Sequence, residues 1–390
     1  MFSSRLPAAL DPNPLSLEIA RLRLSGASLI DLTETNPTRV GLSYPATALS
    51  TLADPQGLTY QPLPYGLPEA REAVARDCGR QGRAIPADRI VLTASTSEAY
   101  ALLFKLLCDP DDEVLVPRPS YPLFDLLTRL ENVTAVPYML EYHGAWSIDR
   151  ASFERALTPR TKAVLVVSPN NPTGSMLRSA DLEWLSLLCA ERSLALIGDE
   201  VFADYPLAKR EDACFVTGQS RALTFSLGGL SKSAGLPQVK LGWMAVTGPD
   251  ALVTDALARL EVIADTYLSV NTPVQLAAAG LLDAAATIRA AIMARVQRNL
   301  GALREALKGA TAVSLLEPEG GWCAVVQVPA IESEEALVLG LITEAQTIVH
   351  PGYFFDFPSE AFLVVSLLPE PAAFDEGIAR MLRLVSSETR

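Results

Sequence analysis

Histidine is nearly missing from this chain, with two residues in 390, His143 and His350. That scarcity argues against a histidine-bound metal centre and against a Ser-His-Asp nucleophile. Cysteine is sparse too: Cys78, Cys108, Cys189, Cys214 and Cys323 form no C-x-x-C pair and no metal-ligand spacing. They read as small core residues of a protein kept in a reducing, cytoplasmic compartment, with no metal. No apolar run reaches the ~18 residues that a membrane span requires. The start, M-F-S-S-R-L-P-A-A-L-D-P, lacks a signal-type apolar segment. Positive charge is in deficit, with 32 Lys and Arg against 45 Asp and Glu and a net charge of −13. So acidic a surface disfavours nucleic acid and anionic membrane as partners, though a local cationic pocket stays possible. No G-x-G-x-x-G follows a strand, which counts against a dinucleotide-dependent dehydrogenase. Low-complexity segments and repeats are also lacking.

What is present is a strand-turn-helix rhythm. Apolar runs at 90–93, 113–116, 163–167, 194–197 and 222–225 each read as a buried strand leading into a turn. A helical segment at 68–79 precedes the first run, and others lie between the runs, at 98–108 for example. This alternation predicts an α/β fold with a mostly parallel sheet sandwiched by helices. In such sheets ligands bind at the carboxyl ends of the strands. The reactive residue types fall there: the hydroxyls Ser95, Thr96 and Ser97, then Tyr121, Asn171, Asp199 and Lys232. Three divisions are expected. Residues 1–45 form an N-terminal arm joining a small domain, 46–285 a large ligand-binding domain, and 286–390 a small α+β C-terminal domain.

Each residue also has a bland reading. A lysine beside glycines often only solvates a loop, and Ser95-x-x-Glu98 is a capping box in its own right. Their shared location favours chemistry. A lysine on the turn past a buried strand, in S-L-G-G-L-S-K-S-A-G-L, is placed to be desolvated, which lowers its pKa and frees a nucleophilic amine. Free N–H groups at the helix start near Ser95 make an anion cup. A nucleophilic lysine, a strand-end carboxylate, an anion cup and an aromatic ring suit pyridoxal 5'-phosphate.

The motifs N-N-P-T-G (170–174), D-E-V-F (199–202) and S-K (231–232) with Lys240 eight residues on resemble the class I/II aminotransferases of fold type I. The likeness covers nearly the whole chain. It implies an aminotransferase that moves an amino group between an amino acid and a 2-oxo acid, with pyridoxal phosphate in Schiff-base linkage to Lys232. By the same resemblance Lys232 also shuttles the proton, and Asp199 partners the pyridine nitrogen. Asn171 serves the ring hydroxyl and substrate, and Tyr121 stacks on the ring. Ser95, Thr96 and Ser97 hold the phosphate. Lys240 stands in place of a phosphate-binding arginine, keeping the charge without the fork. Tyr60 matches a tyrosine that reaches the neighbouring subunit's phosphate, which implies a homodimer with shared sites.

Two positions depart from the family pattern. Phe202 replaces a tyrosine that donates to the ring hydroxyl, a loss expected to raise the Schiff-base pKa. Tyr205 lies nearby in sequence. Val364 replaces the arginine that grips the substrate α-carboxylate. Arg39, in the Asn36-Pro37 turn, is the expected substitute, with Asn36 beside it. A lyase or decarboxylase on the same fold is the alternative, because the chemistry divides only at the bond aligned on Cα. A non-catalytic effector-binding domain is a third reading, disfavoured by the acidic charge and the lack of a DNA-binding extension.

Overall fold

Strands form where the sequence is apolar or alternates. The computed structural model describes residues 2–7, 10–217, 220–310 and 312–388. Its strands in chain order are β1 (Ile30–Asp31), β2 (Ile90–Thr93), β3 (Glu113–Arg118), β4 (Thr134–Tyr142), β5 (Trp146–Ile148), β6 (Thr161–Val167) and β7 (Ala195–Asp199). They continue as β8 (Thr224–Gly229), β9 (Gly242–Thr247), β10 (Ser314–Leu316), β11 (Cys323–Gln327), β12 (Thr347–Ile348), β13 (His350–Pro351) and β14 (Phe362–Ser366).

Strands β2 to β9 build one eight-stranded sheet in the order β2-β9-β8-β7-β6-β3-β4-β5. The neighbours from β8 through β4 all pair in parallel. β9 runs antiparallel to both β2 and β8, and β5 antiparallel to β4. A parallel sheet needs cover on both faces, so its strands are apolar throughout. Every residue of β2, β7 and β8 is buried. Successive side chains of β6 go to opposite faces. Leu165 joins Leu103, Phe104 and Leu260 on one side, whereas Val164 and Val166 join Phe153 and Leu185 on the other.

The strand expected over 222–225 runs on into the Gly228-Gly229 pair. β8 continues through both residues, because the glycines let β9 cross closely. A Cβ on Gly228 would lie 2.5 Å from Trp243 Nε1. Gly228 pairs with Trp243 and Gly229 with Gly242.

A smaller antiparallel sheet, β10-β11-β14-β13, lies toward the C-terminus. The arm packs beside it. Its β1 pairs in parallel with β12, and the Ser366 amide donates to Leu32 O at 2.7 Å. One 36-residue helix, Thr272–Leu307, runs through the expected boundary at 285/286, so no break in the chain marks that point. By length and composition this helix could cross a membrane, although charged residues interrupt its apolar sequence. It packs Leu281, Ile288, Ile292, Val296 and Leu303 into the protein core.

Candidate active site

The carboxyl ends of β7 and β8 and the helix after β2 converge on a cavity of about 310 Å3. Lys232 sits in a short helix, Leu230–Ser233, directly after β8. Burial pushes its pKa down, opposed by Cys323 and Asp199. Its Nζ lies 5.1 Å from the centroid of the Trp322 ring and 5.5 Å from that of Phe202. Apolar walls therefore surround the amine and favour its neutral form. Tyr205, whose role the sequence left open, faces away from the chemistry. Its hydroxyl donates to the Lys232 carbonyl at 2.7 Å. Tyr44 donates to Gly235 O at 2.7 Å, so tyrosines hold the lysine turn at two points.

Asp199 ends β7 and is buried. Tyr100 donates to its Oδ2 at 2.8 Å and the Val201 amide to its Oδ1 at 3.2 Å. Burial nevertheless raises its pKa, against the lowering effects of those two donors and Lys232. Such a carboxylate gains from a ligand that brings it a hydrogen-bond donor or positive charge. The sequence reading missed Tyr100. Nothing local signals its role, since it meets Asp199 only when the helix Thr96–Leu107 docks on the sheet.

Ser95 caps that helix, accepting from the Glu98 amide at 3.1 Å. Glu98 reaches back to the Ala94 amide at 2.5 Å, one residue before the cap, so the predicted capping box forms in a shifted version. The same helix start also opens to the cavity, whose walls include Ser95, Thr96, Ser97, Lys240 and Gly242. A Cβ on Gly242 would come to 3.0 Å from the Ser95 backbone, so glycine lets β9 lie close against this cup without displacing it. Lys240 takes a left-handed conformation there, with φ 63°.

Tyr121 and Asn171 line the cavity as well. Tyr121 packs edge-on against Phe124 at 6.3 Å. Asn171 Oδ1 is buried and has no hydrogen-bond partner among the described residues. An unmet polar atom in a cavity wall is a place where a ligand completes the structure. The donor set fits pyridoxal phosphate: a desolvated amine, a buried carboxylate, a hydroxyl cup with a cation, a ring and an open amide.

Phe202, Trp322, Cys323 and Thr35 also line the cavity. The last three were not singled out from sequence, since they come from the small sheet and the arm. Arg39 is exposed and is not among the cavity-lining residues, so the fold does not bring the expected carboxylate partner to the site. Asn36 uses its side chain to cap the turn Pro37–Arg39, accepting from the Thr38 amide at 3.1 Å, and Arg39 ends that turn exposed. Asn36 does not line the cavity either. Tyr60 is 69% exposed and stands apart from this chain's own cavity.

Comparison with known proteins agrees with this geometry. The family model "Aminotransferase class I and II" matches residues 30–380. The alanine aminotransferase of Mycobacterium tuberculosis is 28% identical over 94% of this chain and 88% of its own length. The glutamate-pyruvate aminotransferase of Escherichia coli is 24% identical over 96% of this chain and 94% of its own. The solved alanine aminotransferase of Pyrococcus furiosus superposes with a TM-score of 0.89 at 25% identity, over 99% of this chain and 100% of that one. With its family motifs at the ends of a fold-type I sheet, the chain belongs to the class I and II aminotransferases.

Proposed function

We propose that this transaminase binds pyridoxal phosphate in the cavity under Lys232 and uses it to exchange an amino group between an amino acid and a 2-oxo acid. The observation that carries the reading is the meeting of a desolvated amine, a buried carboxylate and a hydroxyl-lined helix start in one cavity. When bound, the cofactor supplies an electron sink for negative charge at the substrate α-carbon. The protein's own residues do the rest. Ser95, Thr96, Ser97 and Lys240 receive the phosphate. Asp199, aligned by Tyr100, would keep the pyridine nitrogen protonated. Tyr121 would stack on the ring, and Asn171 would hydrogen bond its hydroxyl. The Lys232 amine, whose pKa burial pushes down, would take up the substrate Cα proton at its Nζ and hold it for redelivery. Phe202 and Trp322 keep water from that amine.

The reading extends to a cytoplasmic homodimer, supported by free cysteines at all five positions and by the outward-facing Tyr60. The names of the relatives make alanine and glutamate, with pyruvate and 2-oxoglutarate, the first donors and acceptors to try.

The test mixes holoenzyme with one amino acid at a time and no acceptor. The visible band of the bound cofactor should give way to near-ultraviolet absorbance in stoichiometric amount. Release of pyruvate and ammonia without that conversion would instead identify a lyase. For Lys232→Ala, borohydride treatment followed by mass spectrometry should find no cofactor attached to the chain. Attachment in that variant would remove Lys232 from its role.

A further inference from the structure

The substrate of an amino-acid transaminase brings a carboxylate, and the cations already described have other work. Lys240 stands at the hydroxyl cup and Lys232 is the reacting amine. A second cavity of about 400 Å3 adjoins the first and shares Thr35, Tyr121, Asn171 and Cys323 with it. Its titratable wall groups are Tyr121, Cys323 and His350, and no lysine, arginine, aspartate or glutamate lines it. Burial raises the Tyr121 hydroxyl above its ordinary value and pushes the Cys323 thiol up to about 12, so both stay neutral. His350 is thus the wall group able to carry positive charge.

His350 lies on β13 directly opposite Val364 of β14, and Val364 pairs with Val325 of β11. Opposed residues of an antiparallel pair share one face, so the imidazole and Val364 open on the same chamber. Phe354 and Phe355 fix the ring at centroid distances of 5.7 and 5.8 Å. Among the described residues neither ring nitrogen has a hydrogen-bond partner.

The charges around the ring are already committed. Asp31 of β1 binds the Thr33 amide and hydroxyl, at 2.9 and 2.6 Å, and pairs with Arg23 at 3.4 Å. Glu334 accepts from the amides of Tyr353 and Phe362, at 3.0 and 2.8 Å. Burial lowers the His350 pKa, with Asp31 opposing, so the ring is neutral when nothing is bound. An arriving carboxylate favours the imidazolium and forms a charge-assisted hydrogen bond.

We propose that His350 receives the substrate carboxylate, from β13, in the chamber that Val364 leaves apolar. This rests on the amino-transfer reading, and the experiment separates the two. The holoenzyme is labelled with carbon-13 at histidine Cε1. It shows two histidine signals, assigned with His143→Asn, which alters an exposed residue. The probes are 2-methylalanine, with one carboxylate, and 2-methylglutamate, with two. Neither has a Cα hydrogen, so neither can undergo the Cα deprotonation that amino transfer requires. Probe binding should raise the titration midpoint of His350 and leave that of His143 unmoved.

His350→Phe keeps the ring packing and removes the charge. It should raise donor KM about 10- to 100-fold while kcat stays within about threefold and the visible cofactor band persists. His350→Asn, which keeps one donor, should fall between. Equal losses for alanine and glutamate would place the α-carboxylate at the ring, and a loss confined to glutamate would place its distal carboxylate there. Unchanged KM for both donors with an unmoved His350 signal overturns the proposal, as does a comparable loss in Arg39→Ala but not in His350→Phe. If no donor reacts with the wild-type enzyme, the amino-transfer reading fails, while the histidine signals still report on His350.

Discussion

Asp199 accepts from Tyr100 and from the Val201 amide, yet burial still lifts its pKa from 3.8. The sign of the consequence follows from proton counting. Just above the ordinary carboxylate value, the folded chain holds a proton that the unfolded chain has released. Stability therefore falls as pH rises from about that value to the raised one, and the full penalty persists above it. Asp199→Asn removes the ionisable group. The apoprotein of that variant should resist denaturant better than wild type at neutral pH, with a flatter pH profile, while turnover drops by about two orders of magnitude or more. Identical unfolding midpoints for the two apoproteins from about pH 5 to 8 would show that the buried carboxylate carries no such cost.

The same scale shows what one-dimensional reading can reach. Lys232, Asp199 and Asn171 were legible because each follows a buried apolar run, and chain order alone puts such residues at one edge of a parallel sheet. Tyr100 and His350 were not legible. Their roles depend on which element docks where, and the cross-strand pairing of His350 with Val364 is invisible until β13 and β14 are adjacent. The one cation near the Asn36-Pro37 turn in the sequence, Arg39, is exposed at the end of a capped turn.

Among the elements, β8 and β9 position the lysine turn. β9 is not among the five apolar runs read as strands from sequence, although Gly242–Val246 is buried throughout. In the fold, glycine at 228 and 242 serves close strand approach. Alanine at Gly228 would place a Cβ 2.5 Å from Trp243 Nε1 and 2.7 Å from Cε2, against a buried indole with little room to move. Overpacking of this kind costs about 1–3 kcal/mol. Gly228→Ala should therefore lower apoprotein stability by that amount and loosen cofactor binding, since Lys232 follows four residues later. Chemical denaturation and cofactor retention on gel filtration check the two effects. An unfolding midpoint equal to wild type would mean that β9 has room to yield at Trp243.

The whole molecule turns part of its apolar surface outward near Tyr60. Leu58 is 92% exposed and Tyr60 69%, on a segment of short turns, Ser50–Ala53 and Pro55–Leu58, that packs on the long helix Thr272–Leu307. Large apolar side chains set outward together are what a symmetric partner covers. If Tyr60 completes the phosphate site of a second copy, an inactive Lys232→Ala chain and a Tyr60→Ala chain weak in cofactor binding should complement each other. In the mixed dimer one site lacks the lysine. The other has its own Lys232 and receives an intact Tyr60 from the opposite chain. Denatured together, refolded and assayed at limiting cofactor, the mixture should show more activity than the sum of the two homodimers treated alike. With random pairing half of the dimers are mixed, so recovery should approach about a quarter of the wild-type sites. A Tyr60 that served its own chain would leave the mixed dimer with one site lacking lysine and one lacking tyrosine. Activity would then stay at the sum of the parents. That result, or sedimentation of the wild-type enzyme as a monomer at its working concentration, would rule out the shared site.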